Sequence, residues 1–190
     1  MATLTAKTWT GDGTIDAVII ESTTDTSFFD DCNQAPDGGS SSYISNDTSE
    51  TTGYVNFTFD NMPSDFAHMD TLSVTLDGAA FNFSNDTCGI RCRIFTADNG
   101  GGSPLTDLCT QVIDHTDTTR AQNTIAFTGV VVGAGKSDWD NAYFRMGWIY
   151  SKIGSPDNGQ IRIYGGELTG TYTVASPADE SRNLPLLGVG

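Results

Sequence analysis

The stretch Ser137–Val174, SDWDNAYFRMGWIYSKIGSPDNGQIRIYGGELTGTYTV, decides the fold class of this 190-residue chain. Taken two residues at a time, Phe144, Met146, Trp148 and Tyr150 fall on one face, and Tyr143, Arg145, Ile149 and Ser151 on the other. That is strand periodicity with one heavy apolar face. Pro156-Asp-Asn-Gly159 then supplies a tight reversal, because Asn-Gly accepts positive φ. The returning segment carries Ile161 and Ile163 at odd positions, then Leu168, Tyr172 and Val174 at even ones. A period of two changes phase only where one residue is inserted, and Gly165-Gly166 sits at the change, so a bulge is expected there. The simplest reading of the whole stretch is a long, bent, half-buried β-hairpin.

Working outward, the same alternation recurs. In Tyr54–Asp60, Val55, Phe57 and Phe59 point inward. Leu72, Val74 and Leu76 are followed by Phe81 and Phe83 in the other phase, which predicts one long strand bulged at Asp77-Gly78. Ile90–Thr96 and Asp107–Ile113 flank a glycine-rich loop, which is expected to be a mobile surface element. Thr124–Val132 follows, with Ile125, Phe127 and Val131 inward. Ser137 is placed to cap one helical turn through Trp139 and Asp140. With no long stretch of helical period, about eight or nine strands between turns predict two packed antiparallel sheets. The expected organisation is an N-terminal arm with a first strand (1–36), a β-sandwich (37–175) and a C-terminal arm (176–190).

Charge narrows the partners. Nine cations against 24 carboxylates give 9 − 24 = −15, a balance that repels nucleic acid and anionic membrane surfaces. No apolar run reaches the roughly 18 residues of a membrane span. The N-terminus lacks a signal-peptide core, so Cys32, Cys88, Cys92 and Cys109 are expected as thiols, although a cross-strand Cys92–Cys109 bridge stays open. The three sequons at Asn46, Asn56 and Asn85 are then accidents of an Asn/Thr-rich chain.

Catalytic readings fail on spacing. Val130-Val-Val-Gly-Ala-Gly-Lys-Ser137 resembles a phosphate-binding loop, but Val130 stands where glycine is required and no full helix follows. Asp114-His115-Thr-Asp117 has no second convergent group, and neither Asp30-Asp31 nor Asp157-Asn-Gly fits a calcium loop of the EF-hand kind. No cofactor or metal is expected, and the chain reads as a non-enzyme. Among its aromatic residues, Trp148 is core, and Trp139 either plugs one end of the sandwich or stacks on a sugar ring. Trp9, in an arm, is expected to pack on a partner together with Leu4. The apolar end of the chain, Leu184, Leu186, Leu187 and Val189, is expected to do the same.

The order of features carries a resemblance. An acidic loop with a Pro36-Asp-Gly turn runs into Ser42-Tyr-Ile-Ser45, then an alternating strand, a short Pro loop and Leu72–Leu76. Trp139-x-x-Ala142 precedes a strand, and Ile161-Arg-Ile-Tyr with Thr171-Tyr-Thr-Val174 closes the series. This resembles the jelly-roll structural proteins of tailed-phage virions, over residues 30–175. The resemblance implies a jelly-roll β-sandwich that decorates or cements a capsid, or sits on the tail, as a homo-oligomer that is often a trimer. Its partner would be the major capsid protein or another virion protein, with the capsid surface as the expected location. The alternative expectation is a carbohydrate-binding module, or a tail-associated attachment protein, with Trp139 as its stacking ring.

Overall fold

The computed structural model describes residues 1–16, 20–22, 32, 35–36, 42–46, 52–81, 87–96, 102–110, 119–151 and 160–176. Among these the strands are β1 (Ala2–Lys7), β2 (Trp9–Asp16), β3 (Ile20–Ser22), β4 (Ile44–Asn46), β5 (Thr52–Phe59), β6 (Phe66–Phe81), β7 (Thr87–Phe95), β8 (Pro104–Thr110), β9 (Ala121–Ala126), β10 (Tyr143–Ser151) and β11 (Gln160–Val174). A short helix, α1 (Lys136–Asp140), precedes β10.

All the pairings are antiparallel and form two sheets, A with the order β3-β4-β11-β6-β9 and B with the order β2-β5-β10-β7-β8, while β1 adds to β11. From β4 onward the chain changes sheet at every step except β7 to β8. A six-stranded and a five-stranded sheet interleaved in this way form an antiparallel β-sandwich of jelly-roll type. The inner faces meet in a core where Val55, Phe57, Ile90, Ile94, Phe144, Met146 and Trp148 of sheet B oppose Leu72, Val74, Leu76, Ile161, Ile163 and Leu168 of sheet A.

The stretch that predicted strands is therefore not a hairpin. β10 lies in sheet B between β5 and β7, and β11 lies in sheet A between β4 and β6. Both strands turn apolar faces inward, so their periodicity is the one a hairpin would show, but the faces oppose each other across the core. A hydrogen bond across the core links them: the buried Trp148 indole N–H donates to the Ile161 carbonyl at 3.1 Å.

The expected bulge is present in β11. Ile163 pairs with Gly78 and Gly165 with Asp77, so Tyr164 is the inserted residue. Gly166 has a second reason to be glycine: a Cβ there would lie 2.9 Å from the Trp9 ring and 2.8 Å from Leu76 Cδ2. The bulge expected at Asp77-Gly78 is not in β6, which pairs regularly with β9 from Ser73↔Ala126 to Gly78↔Ala121. Ala79 and Ala80 are both buried there, which erases the apolar alternation and imitates a phase change.

The N-terminal segment is no arm. β1 adds to sheet A, with Leu4 opposite Gly170, and β2 adds to sheet B, with Trp9 opposite Phe59. Crossing between the sheets carries Trp9 into the core. Its ring stacks on Phe144 at 4.3 Å and lies 5.7 Å from Phe57. Leu4 and Trp9 are each 2% exposed, so the partner contact expected of them is corrected: both pack inside their own chain.

Other local expectations shift. α1 starts after Gly135, not Ser137, and the Gly135 N–H donates to the Asp138 carboxylate at 2.9 Å. The helix is clipped to the β5–β6 loop, because Asp140 accepts the Met62 N–H at 2.7 Å and Lys136 donates to the Met62 carbonyl at 2.8 Å. Phe127 is buried, but Val131 is exposed in the turn that follows. The ladder sets Cys92 opposite Leu108 and Cys109 opposite Arg91, so the two cysteines do not occupy the facing positions a cross-strand bridge needs. Cys32 and Cys92 are buried thiols.

Tyr172 closes the end of the sandwich near α1, stacked on Phe66 at 5.5 Å, with its hydroxyl donating to Asp65 at 3.0 Å. Burial, and after it the bond to Asp65, raises the pKa of this phenol. An unfolded tyrosine loses its proton first, near pH 10, so this contribution to stability holds below about pH 10 and is lost as the pH rises through the folded value. Tyr172→Phe should therefore flatten the alkaline fall of the melting temperature. An identical fall in both proteins would rule the linkage out.

Candidate functional site

The inner faces of both sheets are taken up by the core, which leaves the outer faces and loops to carry chemistry. The outer face of sheet B holds such a group. The register puts Arg145 of β10 directly opposite Arg93 of β7, and Gly147 opposite Arg91. On the other side of β10, Arg145 faces Asn56 and Gly147 faces Tyr54 of β5. Three of the chain's nine cations thus converge on one face of a molecule whose net charge is −15.

Like charges on facing strands repel, so each guanidinium needs a compensating contact. Arg145 lies 3.6 Å over the Tyr54 ring and donates through Nε to the Asn56 side chain at 2.8 Å. It also faces Phe95 at 5.0 Å. Arg93 donates to Asp107 at 3.0 Å. Phe95, although in the outer row, is only 5% exposed, with Arg93 and Arg145 near its ring. The Arg91 Nε is buried with no hydrogen-bond partner among the described residues.

Between these groups lies a cleft of about 310 Å³ lined by Gly53, Tyr54, Arg91, Arg145, Gly147 and Ile149, among others. The floor is backbone: Gly147 has no side chain, and the Gly53 carbonyl of the neighbouring strand lies 3.6 Å from where its Cβ would be. The walls offer positive charge, N–H donors and ring surface, a chemistry that holds an anionic group. A second hollow of about 380 Å³, between Pro104, Thr106, Asp107, Thr128 and Gly129, contains among the described residues one charged group, Asp107, which Arg93 already engages. Among the described residues no three His, Cys, Asp or Glu side chains converge as metal ligands, and no helix is long and apolar enough to cross a membrane.

The residues singled out from sequence lie elsewhere. Trp139 is fully buried and plugs one end of the sandwich, edge-on to Phe66 at 6.4 Å. The sugar-stacking role given to it as an alternative is corrected on that ground, since a stacking ring must present a face to the ligand. Leu184, Leu186, Leu187 and Val189 lie outside the described residues, as do Asp30-Asp31, Asp114–Asp117 and Asp157-Asn-Gly. The arginine face was missed. Its signal was legible only in part, as Arg91 and Arg93 alternate with Cys92 on the polar side of one strand and Arg145 faces out of another. The register that makes them neighbours is not.

No family model matches the chain, and no curated protein is similar to it. Among solved structures it is similar to a xylan-binding module, CBM15, at 9% identity and a TM-score of 0.40, over 84% of this chain and 98% of that one.

Proposed function

We propose that this chain is a non-enzymatic structural domain of a virion, which holds an acidic neighbouring protein through the outer face of sheet B. The observation that carries the reading is the convergence of Arg91, Arg93 and Arg145 on one face of a strongly acidic chain. An acidic partner is repelled by the net charge of −15 and attracted where cations converge at this face, which orients it as well as places it. The virion setting comes from the resemblance in the order of sequence features. The capsid surface is the proposed location, with the chain as a homo-oligomer and a major capsid protein or other virion protein as the neighbour. Burial of Trp9 and Leu4 removes the N-terminal anchor from this picture and moves the contact to the sheet.

The test is triple charge reversal, Arg91→Glu with Arg93→Glu and Arg145→Glu, followed by counting copies of the chain per purified particle. The side chains project from the outer face, so the variant should keep its β-sheet circular dichroism. Losing buried interfacial charge pairs costs about 2–5 kcal/mol, so occupancy should fall roughly tenfold or more at limiting chain concentration. A folded variant that loads particles like the unaltered chain would overturn the reading.

A further inference from the structure

We infer that the notch between Gly53 and Gly147 receives one side-chain carboxylate of the acidic neighbour, with Arg91 as the anchoring donor. This rests on the reading of the outer face of sheet B as the contact surface. It adds where the contact is decided, and by what chemistry.

The first observation is Gly147 itself. Glycine in the middle of a central strand weakens it and commonly marks a place where a backbone or a ligand comes close. Gly170, in β11, is required by its own fold, since a Cβ there would overlap the Thr71 carbonyl oxygen. At Gly147 nothing of the kind holds. A Cβ would meet the Gly53 oxygen at 3.6 Å, the Arg91 oxygen at 3.7 Å and Tyr54 Cβ at 3.8 Å, all ordinary contacts. The fold therefore tolerates alanine, and the space that glycine leaves open is the floor of the cleft.

The second observation is the Arg91 Nε, buried in that lining without a partner among the described residues. A buried donor left unmade is costly, and a carboxylate is the planar acceptor that a guanidinium matches with two parallel bonds. Charge selects the occupant further. A polyphosphate or nucleic acid would bring many charges against a chain of net −15, whereas one carboxylate on a protein brings a single charge to a local excess of cations. Tyr54 and Ile149 supply apolar wall for the methylene stem of a glutamate or aspartate.

The intact chain would be titrated by calorimetry at low salt with a synthetic octapeptide carrying a single glutamate, with monomeric galacturonate of equal charge, and with inorganic phosphate. The inference expects the peptide to bind best. Arg91→Gln should weaken it at least tenfold, and Arg91→Lys should restore only part of the loss, because an ammonium cannot make the paired bonds. Gly147→Ala should weaken it comparably while leaving the melting temperature equal or higher. Peptide binding unchanged in both Arg91→Gln and Gly147→Ala would overturn the notch. Tighter binding of galacturonate would make the occupant a sugar acid, and phosphate binding as well as the peptide would reduce the site to a general anion trap; either result sinks the inference. If triple charge reversal still empties particles while no peptide binds, the contact face stands and the carboxylate notch falls.

Discussion

Trp9→Ala should be among the most damaging single substitutions in this chain. Trp9 stands close to the N-terminus, yet its indole is 2% exposed, stacked on Phe144 at 4.3 Å and near Phe57. β1 and β2 join different sheets, so the ring also pins the crossover between them. Truncating a buried tryptophan to alanine costs about 3–5 kcal/mol, against a total stability of about 5–15 kcal/mol. At roughly 2–4 °C per kcal/mol for a chain of this size, the melting temperature should fall by about 6–20 °C. Trp9→Phe, which keeps a ring in the stack, should lose much less. The measurement also separates two uses of the same residue: a tryptophan held for a partner could be removed without moving the melting temperature of the isolated chain, and that result would contradict the packing described here.

Arg120→Ala should come next. Arg120 makes a bidentate pair with Asp77, Nε to Oδ1 at 2.8 Å and Nη2 to Oδ2 at 2.5 Å, and lies 4.0 Å over the Tyr164 ring. The Asp77 side chain is 2% exposed in the middle of β6, while that of Arg120 is 25% exposed. Removing the arginine leaves a carboxylate in the sheet without its guanidinium, a change that costs about 3–5 kcal/mol for a buried pair. The partial exposure of Arg120 argues for the lower end of that range. Replacing both partners, as Asp77→Leu with Arg120→Met, should be milder than Arg120→Ala alone, because no uncompensated charge remains. Urea unfolding of the two singles and the double would show this as a coupling energy, and strict additivity would mean that the pair contributes nothing specific.

The bulge in β11 shows how far local pattern reaches. The phase slip between Ile163 and Leu168 with two glycines was readable without coordinates, because the alternation of a strand is a property of neighbouring residues. The same argument misplaced a bulge at Asp77-Gly78, where two buried alanines blur the pattern. The site fared worse for a related reason. Arg145 and Arg93 are 52 positions apart and meet only through the β10–β7 register, which no local pattern specifies.

The sequence by itself determined the class of structure: an all-β chain of alternating strands, folded as an antiparallel sandwich, with Trp148, Phe144 and Met146 in its core. Alternation fixes which side of a strand is buried, and burial of that side is the main driving force for folding. Only the tertiary structure decided which strand lies beside which. A strand returning in the same sheet and one crossing to the opposite sheet bury the same face, so β10 and β11 read as a hairpin although they sit on opposite sides of the core. Trp9 could not be assigned to that core until β1 and β2 were seen to join different sheets. The arginine face likewise exists only because sheet B lays β5, β10 and β7 side by side, and the pairing of distant strands is settled by the packing of the whole domain.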